Sequence, residues 1–274
     1  CSYYIKKEEV LQMAQNTGRY TVITGASSGI GYETAKVFAG RGSNLILVAR
    51  RKDRLETLRQ EILALHPMLD IVVKSMDLSI PQNVFQFYES IKSYPLQTWI
   101  NNAGFGNYDS VGNQDLKKIS RMLHLNVEAL TIFSSLFVRD FKDTEGTQLI
   151  NISSCGGYTI VPDAVTYCAA KFYVSVFTEG LAWELKSAHA KMRAKVLAPA
   201  ATKTEFGKVA NDVSEYDYDK LFGTYHTGTQ IAAFLLELYD SDKVVGLVDR
   251  ENFSFCLYDP QFQYAGNSQH NQKM

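Results

Sequence analysis

Residues 20–31 read Tyr20-Thr21-Val22-Ile23-Thr24-Gly25-Ala26-Ser27-Ser28-Gly29-Ile30-Gly31. Tyr20–Thr24 is a short run rich in β-branched residues, which predicts a strand, and it ends in glycine. Helical spacing follows over Ile30–Ala39, with Ile30, Ala35, Val37 and Phe38 apolar, and it stops at Gly40 and Gly42. A glycine-rich turn at such a junction has a physical use. Gly25, Gly29 and Gly31 permit a tight turn, let the backbone approach a pyrophosphate, and let the helix pack close to the sheet. With Ser27, Ser28 and Ile30 they place the helix N-terminus, with its free N–H groups and partial positive charge, where a phosphate would bind.

Outward from this turn, strand-like and helix-like segments alternate. Asn44–Ala49 is a continuous apolar run of the kind buried on both faces of a parallel sheet. Lys52–Leu65 places Leu55, Leu58, Ile62 and Leu65 on one helical face and ends before His66-Pro67. Further strands are predicted at Ile71–Lys74, Thr98–Ile100, Gln148–Ile152, Lys195–Ala198 and Phe253–Leu257. Helices are predicted over Asn83–Lys92, Asp115–Phe141, Ala164–Lys186 and Thr229–Tyr239. The pattern predicts an α/β fold: one doubly wound parallel sheet with helices on both faces. A single domain spans residues 19–258, flanked by an N-terminal extension, 1–18, and a polar C-terminal tail, 259–274.

Composition narrows the partners. The chain of 274 residues carries 28 Lys+Arg against 29 Asp+Glu, so a formal net charge of -1 gives no general attraction to nucleic acid or an anionic membrane. No apolar stretch approaches the ~18 residues needed to span a bilayer. Four scattered cysteines and five unclustered histidines indicate neither a disulfide framework nor a metal site. Cys1-Ser2-Tyr3-Tyr4 leads into a charged segment without an apolar signal core, so the expectation is a cytoplasmic protein with reduced thiols.

The spacing TGxxxGxG over Thr24–Gly31 resembles the short-chain dehydrogenase/reductase family in its single-domain branch, and ordered motifs extend the resemblance over residues 19–205. It implies a Rossmann-like fold and a nicotinamide cofactor. NAD-preferring members carry an acid at the end of the second strand, where this chain has Ala49, followed by Arg50 and Arg51. A guanidinium suits a 2′-phosphate through a charge-assisted fork, which implies NADP(H) rather than NAD(H). Ser28 is a counter-signal, since some NADP enzymes place a further basic residue inside the turn. Asp77-Leu78 corresponds to the pair that lines the adenine. Asn101-Asn102-Ala103-Gly104 matches the motif that braces the sheet and floors the cofactor crevice.

Tyr167 and Lys171 stand at i and i+4, so phenol and ammonium project from one helical face. The ammonium and an oxidised nicotinamide are expected to stabilise phenolate and lower the tyrosine pKa, making Tyr167 the general acid/base and Lys171 a ligand of the nicotinamide ribose. The resemblance makes Ser154 the donor to the substrate oxygen, with Ser153 ranked second, and gives Asn126 the role of holding a water that relays protons to the lysine. Pro199-Ala200-Ala201-Thr202-Lys203-Thr204 resembles the family's Pro-Gly-x-x-x-Thr segment at the nicotinamide. Ala200 stands for the usual glycine, so that loop must avoid a backbone shape only glycine adopts cheaply.

Residues 204–228 fall where the family carries a mobile substrate lid. Phe206, Tyr216, Tyr218 and Phe222 are its aromatics, and Phe105, Tyr158 and Val161 are further expected walls beside Ser154. The implied activity is NADP(H)-dependent interconversion of a ketone or aldehyde with an alcohol, on a small-molecule substrate. A non-catalytic NADP-binding sensor on the same fold is the competing reading, and retention of Ser154, Tyr167, Lys171 and Asn126 counts against it. The family commonly forms dimers or tetramers, and the apolar helices Leu123–Val138 and Tyr173–Leu185 would suit a homo-oligomer interface or, equally, cover against the sheet.

Overall fold

A computed structural model describes residues 16–266. Ten strands occur among them: β1 (Tyr20–Thr24), β2 (Asn44–Ala49), β3 (Ile71–Ser75), β4 (Leu96–Asn101), β5 (Gln148–Ile152), β6 (Arg193–Ala198), β7 (Thr202–Lys203), β8 (His226–Thr227), β9 (Val245–Val248) and β10 (Phe255–Tyr258). Eight of them form one sheet in the order β10-β9-β6-β5-β4-β1-β2-β3. The helices are α1 (Gly29–Gly40), α2 (Lys52–Leu65), α3 (Pro81–Glu89), α4 (Leu116–Leu123), α5 (Leu130–Phe141), α6 (Val165–Ser187), α7 (Phe206–Asn211), α8 (Tyr218–Phe222) and α9 (Gly228–Asp240).

The apolar run of β1 is buried throughout because successive side chains enter opposite layers. Ile23 joins Phe38, Leu47, Leu55, Leu58, Ile231 and Leu235 beneath α1, α2 and α9. Its neighbour Val22 joins Ile46, Phe87, Trp99, Phe133 and Leu181 beneath α3, α5 and α6. Each such side chain contributes about 1.5–3 kcal/mol by leaving water, so both layers hold the sheet. β1 pairs with β2 on one side and β4 on the other, both parallel. The strand order therefore reverses at β1, opening a crevice at the carboxyl ends of the strands, above the glycine turn.

Four features depart from the expectation. The sheet is not wholly parallel: β10 runs antiparallel to β9, because the turn of residues 249–254 is too short for the crossover that parallel strands need. Asp249 closes that turn by accepting hydrogen bonds from the Glu251 and Asn252 N–H groups, both onto Oδ1, at 2.8 and 2.9 Å. β7 and β8 form an additional parallel pair outside the main sheet. The expected helix 115–141 is interrupted at His124–Ala129 by a π-helical turn containing Asn126.

The segment after Asp259 is also not merely peripheral. The Gln261 and Phe262 N–H groups both bond the buried Glu179 carboxylate of α6, at 2.5 and 2.9 Å. Tyr264 stacks on Trp183 with ring centroids 5.1 Å apart. Most of the N-terminal extension (1–15) and the end of the tail (267–274) lie outside the described residues.

Candidate active site at the carboxyl ends of the strands

A cavity of about 440 Å³ runs from the β2 end of the crevice to the turn that follows β9. Gly25, Ser27, Ser28, Gly29 and Ile30 line its floor, so the start of α1 opens onto it. Ser28 caps that helix without a side-chain bond, and no acidic residue occupies the first turn. The N–H groups there thus keep their capacity for an anion. Gly25 has φ +70, and a Cβ on it would lie 2.8 Å from Ala103 Cα. A Cβ on Gly31 would lie 2.4 Å from Asn102 Nδ2 and 2.6 Å from the Gly25 oxygen. Asn102 braces this floor by donating to the Thr24 and Gly25 carbonyls at 2.9 and 3.2 Å. The cradle is therefore closed by backbone and amide, and it fits a pyrophosphate.

At the end of β2, Ala49, Arg50 and Arg51 all line the cavity. The two arginines differ. Arg51 is tied to the Ser28 hydroxyl at 2.8 Å, to the Ser27 hydroxyl at 3.2 Å and to Glu205 at 2.7 Å. Arg50 is exposed, and among the described residues no ion pair engages its guanidinium. Arg54 completes a bridge to Glu205 at 2.7 Å, and the two cations hold that carboxyl below its usual range despite burial. Leu78 and Asp77 line the adjoining wall, although the Asp77 Oδ1 also accepts from the Ser79 N–H and hydroxyl at 2.9 and 2.7 Å.

In the middle of the cavity, α6 presents Tyr167 and Lys171 one turn apart, both buried. Lys171 Nζ lies 5.9 Å from the Tyr167 ring centroid and donates to the Ile152 carbonyl at 2.8 Å. Ser154, after β5, faces the same space: a Cβ on Gly156 would sit 3.4 Å from Ser154 Oγ and 3.8 Å from Tyr167 Cε1. Ser153 has its hydroxyl turned into α6, bonded to the Lys171 carbonyl and the Ser175 hydroxyl at 3.0 and 2.7 Å. The geometry thus separates two serines that the sequence left adjacent.

Asn126 is buried in the π-helical turn, and its side chain grips the backbone of Phe105 through both its N–H (3.2 Å) and its carbonyl (2.8 Å). It faces Lys171 across Gly104, where a Cβ would lie 3.0 Å from Asn126 Oδ1 and 3.8 Å from Lys171 Nζ. Electrostatics here depart from the expected lowering of the tyrosine pKa. Burial pushes the Tyr167 phenol well above its ordinary value, with the Ser154 hydroxyl acting in the opposite sense, and burial pulls Lys171 down to about 8. The ammonium alone does not offset desolvation of the phenolate.

Pro199, Ala200, Thr202 and Thr204 all line the cavity, and Ala200 is not among the residues with positive φ, so the loop manages without glycine. Phe105, Val161 and Phe206 are walls, and Phe206 packs 5.4 Å from the Tyr167 ring. Tyr158 is not a wall. Its hydroxyl bonds Glu179 at 2.6 Å and its ring stacks on Phe262 at 5.5 Å, because the buried carboxylate needs donors and the tail supplies an aromatic partner. Sequence reasoning passed over Tyr108, Arg250 and Phe253, which also line the cavity. The last two sit in the β9–β10 turn, which carried no motif.

Residues 19–214 match the short chain dehydrogenase family profile. An uncharacterised oxidoreductase of Staphylococcus saprophyticus is 30% identical over 207 residues, covering 74% of this chain and 82% of that protein. Among solved structures, a short-chain dehydrogenase from Sphingobium yanoikuyae in complex with NADPH superposes with a TM-score of 0.76 at 28% identity, covering 83% of this chain and 86% of that one. The bulky-bulky ketone specific alcohol dehydrogenase from Comamonas testosteroni gives 0.71 at 25% identity, covering 92% and 90%. Together with the glycine cradle, the sheet order and the match across most of the chain, these likenesses make the protein an oxidoreductase of the short-chain dehydrogenase/reductase family.

Proposed function

We propose that the chain interconverts a ketone or aldehyde with an alcohol using NADP(H), with Tyr167 as general acid/base. The observation that carries this reading is the convergence of Tyr167, Ser154 and Lys171 on one cavity whose other end is a glycine cradle beside an uncommitted arginine. A bound nicotinamide supplies or accepts the hydride and, when oxidised, adds positive charge beside the phenol. Gly25, Ser27, Ser28, Gly29, Ile30 and Gly31 hold the pyrophosphate, Arg50 takes the 2′-phosphate, and Asp77 and Leu78 flank the adenine. Asn102, Ala103 and Gly104 form the floor, and Pro199, Ala200, Thr202 and Thr204 enclose the reactive end. The NADPH complex of the Sphingobium relative and the ketone specificity named for the Comamonas enzyme support the choice of cofactor and reaction class.

Ser154 Oγ, held by the Gly156 N–H at 3.1 Å, is free to donate to the substrate oxygen. The Tyr167 phenol, which burial raises above its ordinary value, stands protonated at neutral pH and exchanges its proton with the substrate oxygen as hydride moves between carbon and nicotinamide. Lys171 steadies the phenol side of the site and reaches the nicotinamide ribose. Asn126 acts by fixing the Gly104–Phe105 backbone against Lys171. Residues 204–228 form a substrate lid, with Phe206 closest to Tyr167. Exposed Leu123, Tyr173 and Val176 on α4 and α6 support a homo-oligomer built on these helices.

The test follows NADPH and NADH consumption against a panel of sugars, steroids, quinones, acyl β-keto compounds and simple aldehydes, for wild type, Tyr167→Phe and Arg50→Gln. NADPH-selective turnover is expected to fall at least 10²-fold in Tyr167→Phe, with cofactor affinity retained. Arg50→Gln is expected to weaken NADPH about 10- to 100-fold while barely changing NADH. NADH preference in the wild type overturns the Arg50 assignment. Undiminished turnover in Tyr167→Phe overturns the proton-transfer role.

A further inference from the structure

The far wall of the cavity holds a cation that the proposed reaction does not use. Six charged side chains line the cavity: Arg50, Arg51, Asp77, Lys171, Glu205 and Arg250. Both carboxylates are engaged away from Arg250, Glu205 by Arg51 and Arg54, and Asp77 by Ser79. The adjacent Asp249 bonds its own turn. Arg250 is exposed into the cavity mouth, and among the described residues no ion pair reaches it.

Sheet order sets the strand that carries this arginine apart from the strands that carry the cofactor cradle. β9, which carries Arg250 just beyond its carboxyl end, is separated from β1 by β6, β5 and β4, and from β2 by one strand more. At about 4.8 Å per strand interval, β9 itself lies roughly 19 Å from β1 and 24 Å from β2 across the sheet. Its near neighbours are the ends of β6 and β5, which carry Pro199 and the Ser154–Cys155 pair. Burial raises the Cys155 thiol, and the Ser154 hydroxyl and then the Arg250 charge act on it in the opposite sense. Apolar and aromatic side chains line the same cavity, among them Val161, Phe206, Phe222 and Phe253. An unpaired guanidinium at one side of such a chamber provides a fork for a carboxylate.

We propose that Arg250 selects an anionic substrate: a carbonyl compound that carries a carboxylate beyond its apolar or aromatic body. The inference rests on the reading of Tyr167 and Ser154 as the carbonyl-binding pair. The carbonyl sits at that pair, the apolar body lies under Phe206 and Phe222, and the carboxylate reaches the β9–β10 turn. Arg250 thereby fixes which end of the substrate enters first.

The test compares phenyl-substituted oxo acids, with one to four carbons between carbonyl and carboxylate, against their methyl esters. Wild type, Arg250→Gln and Arg250→Lys are measured for kcat/KM with NADPH. Acid binding is measured by calorimetry with and without NADP+, and melting curves check folding. Wild type is expected to favour the acid of the fitting length, Arg250→Gln to lower the acid-to-ester ratio about 30-fold, and Arg250→Lys to restore part of it. No wild-type preference for any acid, or a preference that survives in Arg250→Gln, overturns the proposal. If no carbonyl compound is turned over but acid binding still depends on Arg250, the anion site stands and the carbonyl-reductase reading fails. If acid binding is also independent of Arg250, both fail.

Discussion

At the β1 end of the cavity the walls are backbone, whereas at the β9 end they are side chains. A Cβ at Gly31 would come within 2.4 Å of Asn102 Nδ2, and one at Gly25 within 2.8 Å of Ala103 Cα, so neither position has room for an atom. Side chains already take over around the Tyr167 ring in the middle of the cavity, where Tyr108 and Phe206, with centroids 6.3 and 5.4 Å away, are carried on a loop and a short helix. The first end is determined by covalent geometry and must accept one ligand shape. The second is determined by side-chain packing and can be reshaped without disturbing the sheet. One end therefore has a motif, and the other has only a composition.

The largest expected effect strikes the backbone-walled end. Gly31→Ala should weaken NADPH binding by two orders of magnitude or more and destabilise the fold by about 1–3 kcal/mol. The added methyl meets Asn102 and the Gly25 carbonyl, and this outweighs the ~1 kcal/mol helix preference for alanine. Fluorescence titration and chemical denaturation measure both. Normal affinity in this variant would break the contrast between the two ends.

A smaller change is expected at the side-chain end. Phe206→Ala should raise KM for aromatic ketones about tenfold, equivalent to ~1.4 kcal/mol, and shift the NADPH dissociation constant by less than about twofold. Equal losses in both constants would mean that the two ends are mechanically coupled, with the Glu205 bridge to Arg51 and Arg54 as the evident link.

The effect smallest at any one pH near neutrality, where Lys171 is protonated in both states, concerns this lysine between the ends. Its folded-state pKa, about 8, lies below the ordinary lysine value of 10.5. Between these values the unfolded chain binds a proton that the folded chain has released, so stability rises with pH. Below pH 8 both forms are protonated and the burial cost is present in full. The cofactor-free wild type should gain up to ~1.4 kcal/mol per pH unit in this window relative to Lys171→Met. Lys195, also near 8, remains in both proteins and cancels in the difference. Parallel urea-stability curves from pH 7.5 to 10 would show that Lys171 is not desolvated as described.

Much of the architecture was legible because it depends on local pattern. Asn44–Ala49 is apolar at every position after Asn44 and forms β2 with the expected bounds, since only a strand covered on both sides needs such a run. The YxxxK spacing placed Tyr167 and Lys171 on one face because helical geometry requires it. Other features depended on partners far away in the chain. Tyr158 reads as a wall aromatic, but the Glu179 carboxylate draws its hydroxyl away from the cavity. Spacing ranked Ser154 above Ser153 only through the family resemblance, and the bond of Ser153 to Ser175 gives that ranking a physical reason.

The sequence by itself determined the glycine cradle, the β-α alternation and the order of the polar groups above the sheet, since each rests on backbone geometry or on spacing within one element. Tertiary structure alone decided the antiparallel last strand, the docking of the tail on α6, the raised phenol of Tyr167 and the arrival of Arg250 at the cavity mouth. Burial and charge pairing are sums over neighbours from separate segments. No single stretch of chain contains those neighbours until the sheet has brought the segments together.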